Sequence, residues 1–110
     1  MICIFTSSNN NTMRTLKDLT QNECIKIATI SEPNVEWKFV QSSDKWDGFD
    51  LVENDCENEN IAKYIFQIDY RSNEELKSKP RFRIYKDLQE YLVNIETITE
   101  YLMSIGYTAS

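Results

Sequence analysis

The chain has 110 residues, 41% hydrophobic and 12% aromatic, which suits a single domain over residues 1–110 with its own core and excludes disorder throughout. It has no histidine and only two glycines, so Ser–His and Cys–His nucleophilic pairs, HExxH zinc sites and glycine-rich phosphate loops are excluded. The net charge of −6 sits in one stretch: between Asp44 and Asn60 seven carboxylates meet a single lysine, and the remaining charges cancel.

In chain order, residues 1–5 are apolar but lack the basic start and long apolar region of a signal peptide. No apolar run approaches the ~20 residues a bilayer needs, so a cytoplasmic protein is expected. Residues 6–12 are polar and turn-forming. Residues 13–23 predict a short helix, with Thr12 as N-cap and Leu16 and Leu19 three apart. Residues 24–30 are β-branched and apolar and predict a strand that breaks near Glu32 and Pro33. At 35–40, Val35, Trp37 and Phe39 alternate with Glu36 and Lys38, a strand with one apolar face.

Residues 49–53 predict a short strand after a turn at Gly48. Residues 61–70 alternate again, with Ala62, Tyr64, Phe66, Ile68 and Tyr70 on one side, and 72–78 give one helical turn. Residues 81–85 predict an edge strand, because Pro80 cannot donate to a ladder. Finally, Leu88, Tyr91, Ile95, Ile98, Leu102 and Ile105 recur at helical spacing, with Leu92 widening the stripe. Asp87 and Glu90 match a capping box and Gly106 a left-handed C-cap, which predicts a helix ~27 Å long at 1.5 Å per residue. The stripe also fits heptad positions, though over fewer than three heptads. The expected fold is α+β: an antiparallel sheet of four to five strands with a long C-terminal helix packed on one face.

Carboxylate-only catalysis needs a convergent pair in a cleft, and no pair stands out, so no enzyme and no cofactor are expected. Asp55, Glu57 and Glu59 alternate like early calcium-loop ligands. Asn60 stands where that loop needs glycine and Phe66 where it needs a bidentate Glu, so no metal site is expected either. Cys3 and Cys24 read as core thiols, and Cys56, among carboxylates, as a blunted one.

Two charged blocks remain. If 53–59 is extended, Glu53, Asp55, Glu57 and Glu59 point one way at ~6.7 Å intervals, and with Asp44, Trp46, Asp47, Phe49 and Asp50 they form an acidic, aromatic-flanked partner surface. Lys77, Lys79, Arg81, Arg83 and Lys86 form an acid-free basic block with Phe82 and Tyr85. That block reads as edge protection, as the counterpart of the acidic block, or as a small nucleic-acid-binding stripe with Tyr85 stacking on bases. Residues with AT-rich codons (Phe, Tyr, Met, Ile, Asn, Lys) outnumber those with GC-rich codons (Gly, Ala, Arg, Pro) about four to one, which points to an AT-rich genome such as that of a phage, a plasmid, or one of several bacteria and protists, and with the charge pattern a phage or mobile-element product is expected. The expected function is an inhibitor of the anti-restriction, anti-CRISPR or immunity type, occupying a basic nucleic-acid-binding site on another protein. The alternatives are a nucleic-acid-binding module on 77–86 and a homo-oligomeric structural component. The partner is expected to be protein before nucleic acid, with no membrane, and the chain a monomer or homodimer.

Overall fold

The structure, a computed structural model, describes residues 15–40, 47–57 and 62–107. A 3₁₀ turn at Leu16–Asp18 leads into helix α1 (Gln21–Ser31), followed by strands β1 (Trp37–Val40), β2 (Gly48–Glu53) and β3 (Tyr64–Asp69). A one-turn helix, α2 (Asn73–Leu76), precedes β4 (Phe82–Lys86), β5 (Gln89–Tyr91) and helix α3 (Ile95–Ser104). The strands pair in chain order, all antiparallel, as the five-stranded meander β1-β2-β3-β4-β5. The fold is the expected α+β arrangement, although its C-terminal helix is short.

Register sorts the side chains. Phe39 opposes Leu51, Leu51 opposes Phe66 and Phe66 opposes Ile84, while Ile68 opposes Phe82, so these residues share one face. On that face lies the core, where Leu51, Phe66 and Ile68 are fully buried and Trp37 packs edge-on against Tyr64 and Phe66. α1 covers β1 and β2 and also meets α3, bringing Cys24, Ile27, Ala28 and Ile98 into the same cluster.

Residues 24–30 form most of α1, not a strand. Thr20 and Glu23 make a capping box: the Thr20 hydroxyl accepts from the Glu23 N–H at 3.1 Å, and the Glu23 carboxylate accepts from the Thr20 N–H at 2.9 Å. Buried Cys24, Ile27 and Ala28 follow at helical spacing, so the cap and this one-sided burial outweigh the β propensity of Ile27, Thr29 and Ile30. The helix ends before Glu32, the residue restrained by Pro33. Of the helix predicted over 13–23, Leu16–Asp18 form the 3₁₀ turn and 21–23 open α1, while Thr12 and residues 13–14 lie outside the described residues.

The predicted C-terminal helix divides. Its first half is a hairpin, with Asp87 (φ 52°) and Leu88 (φ 69°) as a two-residue turn between β4 and β5. Both carry positive φ, as a type I′ turn requires, and Leu in that region costs about 1–2 kcal/mol. Asp87 therefore does not cap a helix. Asn94 does, its side chain accepting from the Thr97 N–H at 3.3 Å. The helical half keeps its stripe through Ile98, Leu102 and Ile105 and ends in a Schellman motif at Gly106 (φ 92°), with the Tyr107 N–H donating to the Leu102 carbonyl at 2.9 Å. β5 also covers the outer side of β4, so residues 81–85 are not an edge strand. Pro80 precedes the ladder rather than joining it.

Candidate functional site

Of the acidic block, Asp44, Trp46 and Glu59 lie outside the described residues. The others do not form a row. β2 ends at Glu53 and the chain turns at once: the Asn54 N–H donates to the Glu36 carbonyl, and the Cys56 N–H to the Glu53 carbonyl at 3.1 Å. The extended stripe is therefore corrected over the described residues 53–57, because the Asn54 bond ends the β1–β2 ladder and the Cys56 bond turns the chain. The Glu53 carboxylate folds back to accept the backbone N–H groups of Lys63 and Tyr64. Phe49 is no surface anchor either. Its ring sits on the core side, 5.6 Å from Phe39 and 5.2 Å from Tyr70. Asp50 is half-buried on the opposite face.

Asp47, Asp55 and Glu57 are exposed. Glu36, Glu53 and Asp55 line a cleft of about 290 Å³ at the ends of β1 and β2, with Asn34, Val35, Asn54 and Tyr64 completing the wall. The cleft thus adds a third acidic residue, Glu36, to two from the acidic block. In sequence Glu36 is only the polar side of a strand; its place at the open end of the β1–β2 pair, across from Asn54, comes from the pairing Trp37↔Glu53. A second cleft of about 290 Å³ adjoins on the other side of Tyr64, walled by Glu32, Ile84, Lys86, Tyr91 and Leu92. The Lys63 and Lys86 ammonium groups lie 5.9 and 5.7 Å from the Tyr64 ring centroid. Glu36, Asp55 and Glu57 are exposed.

The basic block does not form one stripe. Lys77 (φ 53°, ψ 47°) caps α2 in the left-handed region and Ser78 (φ 69°) follows, so the chain reverses between Lys77 and Lys79. Both lysines are exposed. Phe82 is in the core and cannot stack on bases. Arg81 and Arg83 face the outer side of the sheet with half-buried Tyr85. Arg81 ties a loop together: Nη1 donates to the Asp69 and Arg71 carbonyls at 2.8 and 2.7 Å, and Nη2 to the Asn73 side chain at 2.7 Å. Burial lowers its pKa, with the Asp69 charge acting the other way. Lys86 faces the core side over Tyr64.

Sequence reading missed the polar centre of this fold, Asp69, whose carboxylate is 1% exposed. It accepts from the Arg71 backbone N–H at 3.1 Å, from Nε at 3.0 Å and from Nη2 at 2.7 Å, with Arg83 Nη2 at 3.6 Å. Burial pushes the Asp69 carboxyl up, but these hydrogen bonds and the two guanidinium charges outweigh it and hold it below the usual carboxylate range. Arg71 is raised in turn, chiefly by its hydrogen bond to Asp69, with Asp47 and Glu75 adding attraction. Acids at 47, 69 and 75 thus surround Arg71, so this end of the molecule is internally compensated. The one available signal was that Asp69 falls among alternating strand residues.

Burial, with Glu23 nearby, pushes the Cys24 thiol up to about 12, which leaves it inert at neutral pH. Among the described residues no three His, Cys, Asp or Glu side chains gather as metal ligands, and no helix is long and apolar enough to cross a membrane. No protein-family model, curated protein or solved structure matches the chain.

Proposed function

We propose that this is a protein-binding protein of the inhibitor type, which presents an acidic surface to a basic, nucleic-acid-binding site on another protein. The observation that carries it is the cleft at the β1–β2 end, which Glu36, Glu53 and Asp55 line, with exposed Glu57 two residues further along the chain. Glu53 is oriented by two backbone N–H groups, so its carboxylate is held in place before any partner arrives. An arginine or lysine entering the cleft meets the acidic residues of its exposed wall, Glu36 and Asp55.

The nucleic-acid alternative keeps Lys77, Lys79 and Tyr85 but loses Phe82 to the core and Arg81 to the loop it ties. Carboxylates close to Arg71 and Arg83 further reduce the footprint that phosphates would find. The reading therefore favours protein over nucleic acid, and binding over catalysis. Its test is an affinity pull-down from bacterial lysate eluted with a salt gradient, run beside a Glu36→Lys, Asp55→Lys, Glu57→Lys variant. Partners released by moderate salt and absent from the variant support the reading. The same proteins retained by the variant would overturn it.

A further inference from the structure

β5 closes the described sheet, and its far edge has no partner among the described residues. Natural edges are usually blunted by charge, proline or cover. This one is short and keeps the charge of Glu90 at its centre, but apolar side chains flank it: Leu88 is 88% exposed at the hairpin tip, Tyr91 50% and Leu92 100%. The turn that holds Leu88 out does so with a non-glycine residue in the left-handed region, a position where glycine would be at ease. Below Tyr91 and Leu92 lies the second cleft, with Ile84 and Tyr64 on its floor and Glu32 and Lys86 on its rim. The last turn of α1 contains no basic residue, so the negative end of that helix dipole faces the same cleft through Ser31 and Glu32.

Pairing fixes which groups the edge offers. Lys86 and Gln89 flank the two-residue turn, so they exchange hydrogen bonds, as do Ile84 and Tyr91 two residues on. The N–H and C=O of Glu90 therefore point away from β4. Its side chain stands on the outer face opposite Tyr85, with no ion-pair partner among the described residues.

From this geometry we infer that β5 is a docking edge for an extended segment of a partner protein with the pattern apolar–cationic–apolar. The segment adds an antiparallel strand and exchanges both hydrogen bonds with Glu90. Its Lys or Arg faces the Glu90 carboxylate, and its two apolar side chains fall on the inner face beside Gln89 and Tyr91, above the cleft. A second copy of this chain fits less well. The register that pairs all three β5 residues about a twofold axis sets Glu90 against Glu90, and like charges directly opposite destabilise a sheet. This inference uses none of the acids of the β1–β2 cleft, so it stands or falls separately from the proposed function.

The test is an NMR titration of the full chain with millimolar acetyl-Thr-Val-Lys-Val-Thr-amide, compared with the same peptide carrying Glu in place of Lys. The expected result is shift changes centred on residues 89–92, Glu90 amide exchange slowed about tenfold at saturation, and roughly threefold preference for the lysine peptide. The surface variant Glu90→Lys reverses that preference. No shift change along β5, or a preference unmoved by Glu90→Lys, would overturn the inference. So would a dimer in sedimentation equilibrium that Leu92→Asp dissolves, since the edge would then serve a second copy.

Discussion

At its Gly48 end, β2 lies beside Asp69, a buried carboxylate gripped by the backbone and side chain of Arg71, with Arg83 near and Arg81 lacing the adjacent carbonyls. At its Glu53 end, five residues along the same strand, carboxylates line an open cleft and meet backbone amides and water. Both ends are rich in charge, yet the first spends its charge on holding β3, α2 and β4 together. The second leaves three exposed acids, Glu36, Asp55 and Glu57. Formal charge counted along a sequence treats the two alike. Burial separates them: an ion pair away from water must be satisfied internally, and an exposed acid is open to a partner.

If that contrast is right, removing carboxylates one at a time gives a steep gradient. The largest effect belongs to Asp69→Ala, which leaves Arg71 and Arg83 without their buried counter-charge and should cost about 3 kcal/mol in urea unfolding. The effect also carries a pH signature. Because the folded Asp69 carboxyl is held below its ordinary value, its contribution is complete above the unfolded pKa of ~3.9 and disappears as pH falls through the lower folded value. Wild type and Asp69→Asn should therefore differ at pH 7 and converge in acid well below pH ~3.9. A gap that persists there would mean the carboxylate charge is not what stabilises this end.

Next comes Glu53→Ala. It strips the acceptor from two backbone N–H groups and should cost about 1 kcal/mol, while exposed Asp55→Ala stays within about 0.5 kcal/mol of wild type. Equal losses for the two would erase the distinction between a held carboxylate and a free one. The smallest change has the opposite sign. Leu88→Gly relieves the left-handed turn and should raise stability by about 0.5 kcal/mol in the same assay. A loss there would show that Leu88 packs more than its exposure implies.

The strands within 35–40 and 61–70 were legible because apolar and polar residues alternate there, and a one-sided sheet leaves that trace in sequence, whereas 49–53 buries adjacent Leu51 and Val52 and shows no such period. α1 was misread because its Ile-rich run carries β propensity, while the Thr20–Glu23 box that fixes it had been absorbed into a shorter helix upstream. The C-terminal helix was overextended for the converse reason. Leu88, Tyr91 and Leu92 keep helical spacing while lying on or just past a hairpin, with Leu88 and Leu92 almost wholly exposed and Tyr91 half so, so their periodicity carried little burial. Glu36 and Glu53 are far apart in sequence and become neighbours through β1–β2 pairing, which is why the candidate cleft could not be assembled from the 44–60 charge count. Asp69 was hidden by its own context, since a lone acid in a strand looks like its solvent side.

The most direct test of the claim that the Glu53 end is the open acidic surface is a fluorescence titration with a labelled hepta-arginine peptide at low and moderate salt. Wild type should bind with affinity that falls steeply as salt rises. Reversing Glu36, Asp55 and Glu57 to Lys should weaken binding about tenfold or more, and reversing Asp47 and Glu75, which lie toward Arg71, should weaken it far less. Equal losses from the two sets of reversals would contradict the account.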